Sequence, residues 1–315
     1  MTASRAVINQ LFWCEDQAMT SSSVPAVTVA QLRSYLAVAS SGSVREAAAQ
    51  LVVTESAVSA AVTALSRQVG VPLLEREGRG VRCSPAGIAF TPYARRVLGL
   101  LAEGVLAAAS GTDPEQGTVR VAAVTTAAEQ VLPTLLASFR VEYPAATVHL
   151  QVSDSTTVWG AFTAHEADVV LAGRPPAFVD GAVTRAIRPN RLLAVAAPHV
   201  QIDLFHSTWL VRELSSGTRI TLDALLEEQQ MRPPLLHMGS SGAVIAGAVA
   251  GLGIALVSED AVRSLLAQGA LRVIQVPDLP LVRPWHLVTR SAPTATATLF
   301  LQHLLATPHD HFRRP

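Results

Sequence analysis

The spacing of hydrophobic positions changes once along the chain. Between Thr28 and Ala109 apolar residues recur every three or four positions, the period of helices packed on one face. From Gly117 onward short Val/Ala/Leu runs alternate with amphipathic stretches, which predicts βα units on parallel strands. The polar segment Ser110-Gly-Thr-Asp-Pro-Glu-Gln-Gly117 separates the two patterns and reads as a linker, and no internal repeat is present. In the helical part, Thr28-Val-Ala-Gln31 and Ser43-Val-Arg-Glu46 fit the capping box, in which two residues satisfy each other's orphan amides. Thr54 supplies a third cap. The expected helices span about 29–40, 44–51 and 55–68, with only Val52, Val53 and Thr54 joining the last two. So tight a turn makes a helix-turn-helix, although an ordinary three-helix bundle fits the spacing equally well.

The segment after these helices favours the first reading. Leu73-Leu74-Glu-Arg-Glu-Gly-Arg-Gly-Val-Arg82 sets Arg76, Arg79 and Arg82 around two glycines. This predicts a hairpin whose guanidinium groups suit bidentate phosphate contact, or else a solvated turn. Ser84-Pro85 opens a further helix, with proline in the first turn where its missing N–H costs nothing. That helix carries Phe90, Ala94, Val97, Leu101 and Val105 over about 25 residues, longer than a compact domain needs. The stripe favours pairing with a second copy, the alternative being packing on its own domain.

Composition narrows the class. The 315 residues suffice for about two domains, and with half of them hydrophobic and 15% charged the chain is not mainly disordered. Basic and acidic residues balance at 24 each, so net charge gives no sign of nucleic acid, and every basic residue is Arg. Over residues 28–103 the balance is 8 − 5, a modest +3. Cys14 and Cys83 are too few for a disulfide framework or a four-ligand zinc site. Residues 1–26 read as a disordered leader without the continuous apolar run of a secretory signal, and Met19 is an alternative start. The longest apolar run, Ala243 to Val257, is broken by glycines and falls short of the roughly 20 residues that span a bilayer. A cytoplasmic location is expected.

No nucleophile elbow, phosphate loop or His-Glu-x-x-His helix occurs. Gly247, Gly251 and Gly253 end a helix and precede a strand, the wrong order for a dinucleotide fingerprint. His165, His199, His206, His237, His286 and His303 lack ligand spacing, and His309-Asp310-His311 sits on a frayed tail, so no metal, cofactor or enzymatic activity is expected.

Leu32, Tyr35-Leu-Ala-Val-Ala39, Gly42-Ser43, Ala47-Ala48, Leu51, Ala57-Val58-Ser59, Leu65, Gly70-Val-Pro-Leu73-Leu74, Arg76 and Ala86-Gly87 resemble the DNA-binding end of LysR-type transcriptional regulators. The likeness continues through Leu132-Pro133, Phe139, Tyr143-Pro144, Ala167-Asp168-Val169 and Ala250-Gly-Leu-Gly-Ile-Ala255, covering roughly Val27 to Leu305. It implies an α/β fold with an N-terminal all-α winged helix-turn-helix, joined by a long linker helix to a two-lobed, periplasmic-binding-protein-like effector domain. The implied segments are 27–84 for DNA binding, 85–110 for the linker helix, 111–117 for a hinge, 118–306 for the effector domain and 307–315 for a tail. Lobe I would take about 118–188 plus 284–306, and lobe II about 189–283.

The resemblance implies a homodimer or homotetramer that binds double-stranded promoter DNA and responds to a small-molecule effector. A solute-binding protein without DNA function is the alternative, which residues 28–109 disfavour. By motif, Ser43 and Arg45 start the supporting helix, Glu55, Ser56, Ser59, Thr63 and Arg67 lie along the recognition helix, and Arg76 belongs to the wing. The chain departs from the family in having Glu55 where Gln is frequent and Ala60-Ala61 where Arg or Gln is frequent. A carboxylate can accept from cytosine and alanine can meet a thymine methyl, so specificity is expected to shift toward Glu55, Ser56 and Ser59.

In the α/β half, Thr125, Thr126, Ser155, Thr156, Ser215, Ser216, Thr218 and Arg219 cluster at the carboxyl ends of expected strands, where α/β sheets bind ligands. Each Ser/Thr cluster also fits simple helix capping, and Arg219 has Glu213 and Asp223 as alternative partners. Together these residues predict a cleft for an anionic effector.

Overall fold

The computed structural model describes residues 26–78, 80–111, 113–306 and 312–314. The leader up to residue 25 with Met19 and Cys14, the wing residue Arg79 and the tail histidines His309 and His311 lie outside the described residues. The chain divides into two compact units, residues 1–94 and 95–315.

The first unit holds α1 (Val29–Ser41), α2 (Val44–Leu51), α3 (Glu55–Val69), the hairpin β1 (Leu74–Glu77) and β2 (Gly80–Cys83), and the start of α4 (Pro85–Ser110). Thr28 and Gln31 close the capping box of α1, whereas at α2 only Ser43 acts, accepting from the Glu46 N–H at 3.3 Å. Thr54 caps α3 by accepting from Ala57. Val52 takes the left-handed conformation (φ 57°) and turns the chain so that α2 and α3 meet at 107°. Because Ala37, Ala47 and Ala48 face Val38 and Val58, the helices approach closely around a core of small side chains.

The hairpin is tied to α1 through the Val81 N–H, which donates to the Gly42 carbonyl at 2.9 Å. At the start of α4 the Tyr35 hydroxyl donates to the Gly87 carbonyl (2.7 Å), and burial pushes this phenol up to about 12. A Cβ on Gly87 would stand 1.9 Å from the Leu73 carbonyl oxygen, so this helix can start here only with glycine.

The stripe expected on α4 is divided. Phe90 is half-buried and packs edge-on against Tyr35, and Ala94 is 1% exposed, buried within the first unit. The exposed large apolar positions are Ile88, Tyr93, Val97, Leu100, Leu101 and Val105. Ala94 is therefore corrected as an interface candidate, because the helix turns it inward, and Phe90 spends part of its face on Tyr35.

The second unit has two sheets. The first combines β3 (Thr118–Val124), β4 (Thr147–Ser153), β5 (Val169–Ala172), β6 (Val183–Arg188) and β13 (Trp285–Thr289), in the order β4-β3-β5-β13-β6. The second combines β7 (Arg191–Ala196), β8 (Trp209–Val211), β9 (Leu235–His237), β10 (Ile254–Ser258), β11 (Arg272–Ile274) and β12 (Leu281–Val282), in the order β11-β7-β10-β8-β9 with β12 beside β7. Helices α5 (Thr125–Gln130), α6 (Leu132–Glu142), α7 (Ser155–Thr163) and α11 (Ala295–Ala306) cover the first, and α8 (Gly217–Glu228), α9 (Ser241–Val249) and α10 (Glu259–Ala267) the second.

Apolar clusters fill both faces of each sheet: Phe139 and Phe300 against Trp159 and Phe162 in lobe I, Trp209 and Leu222 against Val244 and Val262 in lobe II. The sheets are mixed rather than parallel throughout. β13 runs antiparallel to β5 and β6, and β7 antiparallel to β10, β11 and β12. Each is the strand by which the chain enters from the other lobe, so it arrives from the opposite end. The chain crosses between lobes twice, at residues 189–190 and 283–284. Asn190 laces the crossings: its carbonyl accepts from the Arg283 N–H at 2.8 Å and its amide donates to the Arg283 carbonyl at 3.1 Å. Among the described residues no single helix is long and apolar enough to cross a membrane.

Candidate effector cleft and nucleic-acid interface

A cleft opens where the carboxyl ends of β3, β4, β5 and β8 meet the first turns of α7 and α8. Lobe I lines it with Thr125, Thr126, Ser153, Asp154, Ser155 and Gly173, and lobe II with Arg212, Ser216, Gly217, Thr218 and Ser258. Asn190, Arg283 and Trp285 line it from the crossings and the strand beyond. α8 begins at Gly217, so Gly217, Thr218 and Arg219 form its first helical turn. Ser216 stands at its N-cap, 4% exposed, yet its hydroxyl makes no capping bond and no other hydrogen bond among the described residues. The first amides of α8 keep their full donor capacity, with the partial positive charge of a helix start behind them.

Beside this turn lies the Arg283 guanidinium. A Cβ on Gly217 would come within 2.6 Å of it and one on Gly173 within 3.5 Å, so two glycines, one from each lobe, make room for it. It has no hydrogen-bond or ion-pair partner among the described residues, and burial lowers its pKa. Arg212, the second cation, is bound on both sides. It grips Glu213 through Nε (2.9 Å) and Nη2 (2.5 Å) and donates to the Ser241 hydroxyl, and the Arg212 contact holds the Glu213 carboxyl below its usual range. Burial acts to raise the Asp154 carboxyl, but hydrogen bonds from the Thr157 amide and hydroxyl outweigh it and leave it low.

Of the residues expected here, Thr125, Thr126, Ser155, Ser216 and Thr218 line the cleft, and Thr156, Ser215 and Arg219 do not. Thr156 is exposed, because a helix starting at Ser155 rotates it away. Arg219 is on the buried side of α8, where Nε donates to both Asp223 oxygens at 2.7 and 2.8 Å and Nη1 to the Arg212 carbonyl. The cation that lines the cleft without a partner among the described residues is Arg283, which sequence reasoning missed. The available signal was one cation in an otherwise apolar crossing, Leu281-Val-Arg-Pro-Trp285. No group of three or more His, Cys, Asp or Glu fit to hold a metal occurs among the described residues.

On the first unit, Val58 and Leu65 bury one side of α3, which leaves Glu55, Ser56, Ser59, Ala60, Thr63 and Arg67 exposed on the other. Glu55 has no ion pair among the described residues, and the Ser56 hydroxyl shares a hydrogen bond with Thr54. Arg45 is exposed on α2, while the Ser43 hydroxyl is occupied as a cap. In the wing, cross-strand pairing sets Arg82 opposite Glu75, and the two form an ion pair at 2.7 Å. Arg76 is exposed and without an ion pair among the described residues.

A helix-turn-helix with a wing, a long helix and a two-lobed cleft together define a ligand-responsive DNA-binding protein. The family model "Bacterial regulatory helix-turn-helix protein, lysR family" matches residues 29–88, and "LysR substrate binding domain" matches residues 112–308. The transcriptional regulator CbbR of Xanthobacter flavus is 33% identical over 273 residues, 83% of this chain and 81% of the relative. ArgP of Mycobacterium tuberculosis shares the fold with a TM-score of 0.63 and 21% identity, over 90% of this chain and 98% of that one. The regulatory domain of Synechocystis CcmR, solved in complex with 2-PG, superposes with a TM-score of 0.54 at 24% identity, over 60% of this chain and 96% of that domain. The chain belongs to the LysR family of transcriptional regulators. It is a DNA-binding regulator with an effector-binding domain, not an enzyme, and its partners are promoter DNA, a small-molecule effector and further copies of itself.

Proposed function

We propose that the effector is a small oxyanion, a phosphorylated or carboxylated metabolite, held between Arg283 and the first turn of α8. The observation that carries this reading is the Arg283 guanidinium, partly buried in the cleft without a partner among the described residues. A cation left so is stabilised by an incoming anion far more than one already paired. Ser216 and Thr218 offer further donors from lobe II, and Thr125, Thr126 and Ser155 from lobe I. These hydroxyls outnumber the oxygens of one carboxylate, which favours a phosphoryl group or two anionic groups on one molecule. The 2-PG bound by CcmR has this character.

On the DNA side, Glu55, Ser56, Ser59, Thr63 and Arg67 would face base edges and backbone in the major groove, with Arg45, Arg76 and Arg79 on phosphates. The neutralised Arg82 would contribute little. The outward positions Val97, Leu101 and Val105, with Tyr93 and Leu100, would pair α4 with a second copy, and the regulator would work in the cytoplasm, where its promoters are.

Calorimetric titration of the full chain with inorganic phosphate and with 2-PG tests the cleft. Saturable binding of at least one is expected, weakened about 10- to 100-fold by Arg283→Ala, since a hydrogen-bonded charge contributes about 1.5–3 kcal/mol. Indifference of both anions, or of the variant, overturns the reading.

A further inference from the structure

One helix joins the cleft to the linker helix. α7 starts at Ser155, on the cleft wall, and ends beside Ala164 and His165, where the carboxyl-terminal half of α4 packs. Nine residues make it about 13 Å long. Val158, Trp159, Ala161 and Phe162 are buried along its length, so it has little freedom to bend.

Its far end is held by an unusually close contact. A Cβ on Gly99 of α4 would lie 1.8 Å from the Ala164 carbonyl oxygen, so the helix backbone touches the turn directly. His165 follows in the left-handed conformation (φ 56°), and its Nδ1 meets the Glu103 carboxylate of α4 at 2.5 Å. Arg290 approaches the same carboxylate at 3.5 Å, stacks 4.5 Å above the Phe162 ring and donates to the Phe162 carbonyl. On either side, Arg95 of α4 grips Glu166, and Arg120 holds both Asp168 and the His165 carbonyl. The last turn of α7 is therefore bound to α4 by one backbone contact and a charged clasp, while its first turn faces the cleft.

We propose that α7 is a strut that couples occupancy of the cleft to the docking of α4 on lobe I, with Gly99 and Glu103 as the positioning residues. An anion drawing on Ser155 displaces the rod along its axis, and the turn at residues 164–165 moves against α4. By linkage, loosening the clasp must weaken the cleft by the same factor, although neither positioning residue lines it. The ligand half of this inference rests on the anion reading above; the mechanical half does not.

The test compares full-length wild type with Gly99→Ala, Glu103→Gln and Glu103→Asp. Gly104→Ala serves as control, since Gly104 has open space around it in the same helix. Amide exchange without ligand should quicken about fivefold or more at residues 155–159 in Gly99→Ala and Glu103→Gln, recover in part in Glu103→Asp and stay unchanged in the control. Phosphate affinity should fall about fivefold in the same two variants, the lower range of coupling between sites. Faster exchange confined to residues 99–106 and 164–166, or unaltered phosphate affinity in a chain that binds it, overturns the strut. If wild type takes up neither phosphate nor 2-PG, the anion reading fails alone and the exchange at residues 155–159 decides the strut.

Discussion

The two functional surfaces handle charge in opposite ways. On α3 and the wing the cations are exposed, few, and partly cancelled: Arg82 is bound to Glu75, and Glu55 opens the recognition face with the wrong sign for phosphate. In the cleft one guanidinium is withdrawn from solvent without a counter-charge among the described residues. Exposed charges act through water and are screened by salt, so each contributes little and many are needed. A desolvated charge acts through a poorer dielectric and one is enough. On the proposed reading, the cleft would draw its affinity from one buried charge and the DNA face from several exposed ones.

Four experiments would break or sharpen this contrast. The largest effect is the loss of anion affinity in Arg283→Ala described above, with DNA binding by the ligand-free chain unchanged in a mobility-shift titration. Next, Arg283→Met should make the ligand-free protein more stable by about 1 kcal/mol, because it removes an uncompensated charge; a melting point raised by about 2–4 °C in calorimetry is expected. A lowered one would mean that Arg283 has a structural partner. On the DNA face, Arg76→Ala should reduce the slope of log affinity against log salt by about 1, and Arg82→Ala by clearly less. Equal slopes would show that the Glu75 pair opens on DNA.

The smallest effect concerns pH. The Asp154 carboxyl sits below its ordinary range in the folded chain, so the stability of its cap is present above the usual carboxylate pKa of about 4 and is lost as pH falls through the lower folded value. Amide exchange at residues 155–158, corrected for intrinsic rates, should be level from pH 7 to about 5 and quicken only in acid. A change near neutrality would assign the cap to another group.

Much of this was legible in the sequence because it is local. Thr28, Ser43 and Thr54 cap the helices they announce, since a cap depends on residues two or three positions away. Thr125, Ser155 and Ser216 reach the cleft because a strand end followed by a helix start is also a local signal. The errors arise where a small shift of phase has a large consequence. A helix that begins at Gly217 turns Arg219 from the cleft to Asp223, and an inward rotation of the first turns of α4 buries Ala94. Arg283 was out of reach for another reason. Apart from Trp285, it is far in sequence from the residues it joins in the cleft, and only the second crossing of the chain brings it there.

Asn190 has a mechanical consequence. It ties the two chain crossings together between two antiparallel ladders, β12 on β7 and β13 on β6, and its side-chain oxygen also accepts from the Ser258 hydroxyl of lobe II at 2.7 Å. Two strands paired on both sides of this rivet resist sliding past one another, so a relative motion of the lobes would have to bend the shared ribbon rather than shear it. The guanidinium that would capture the effector hangs beside that rivet, on the ribbon that both lobes share.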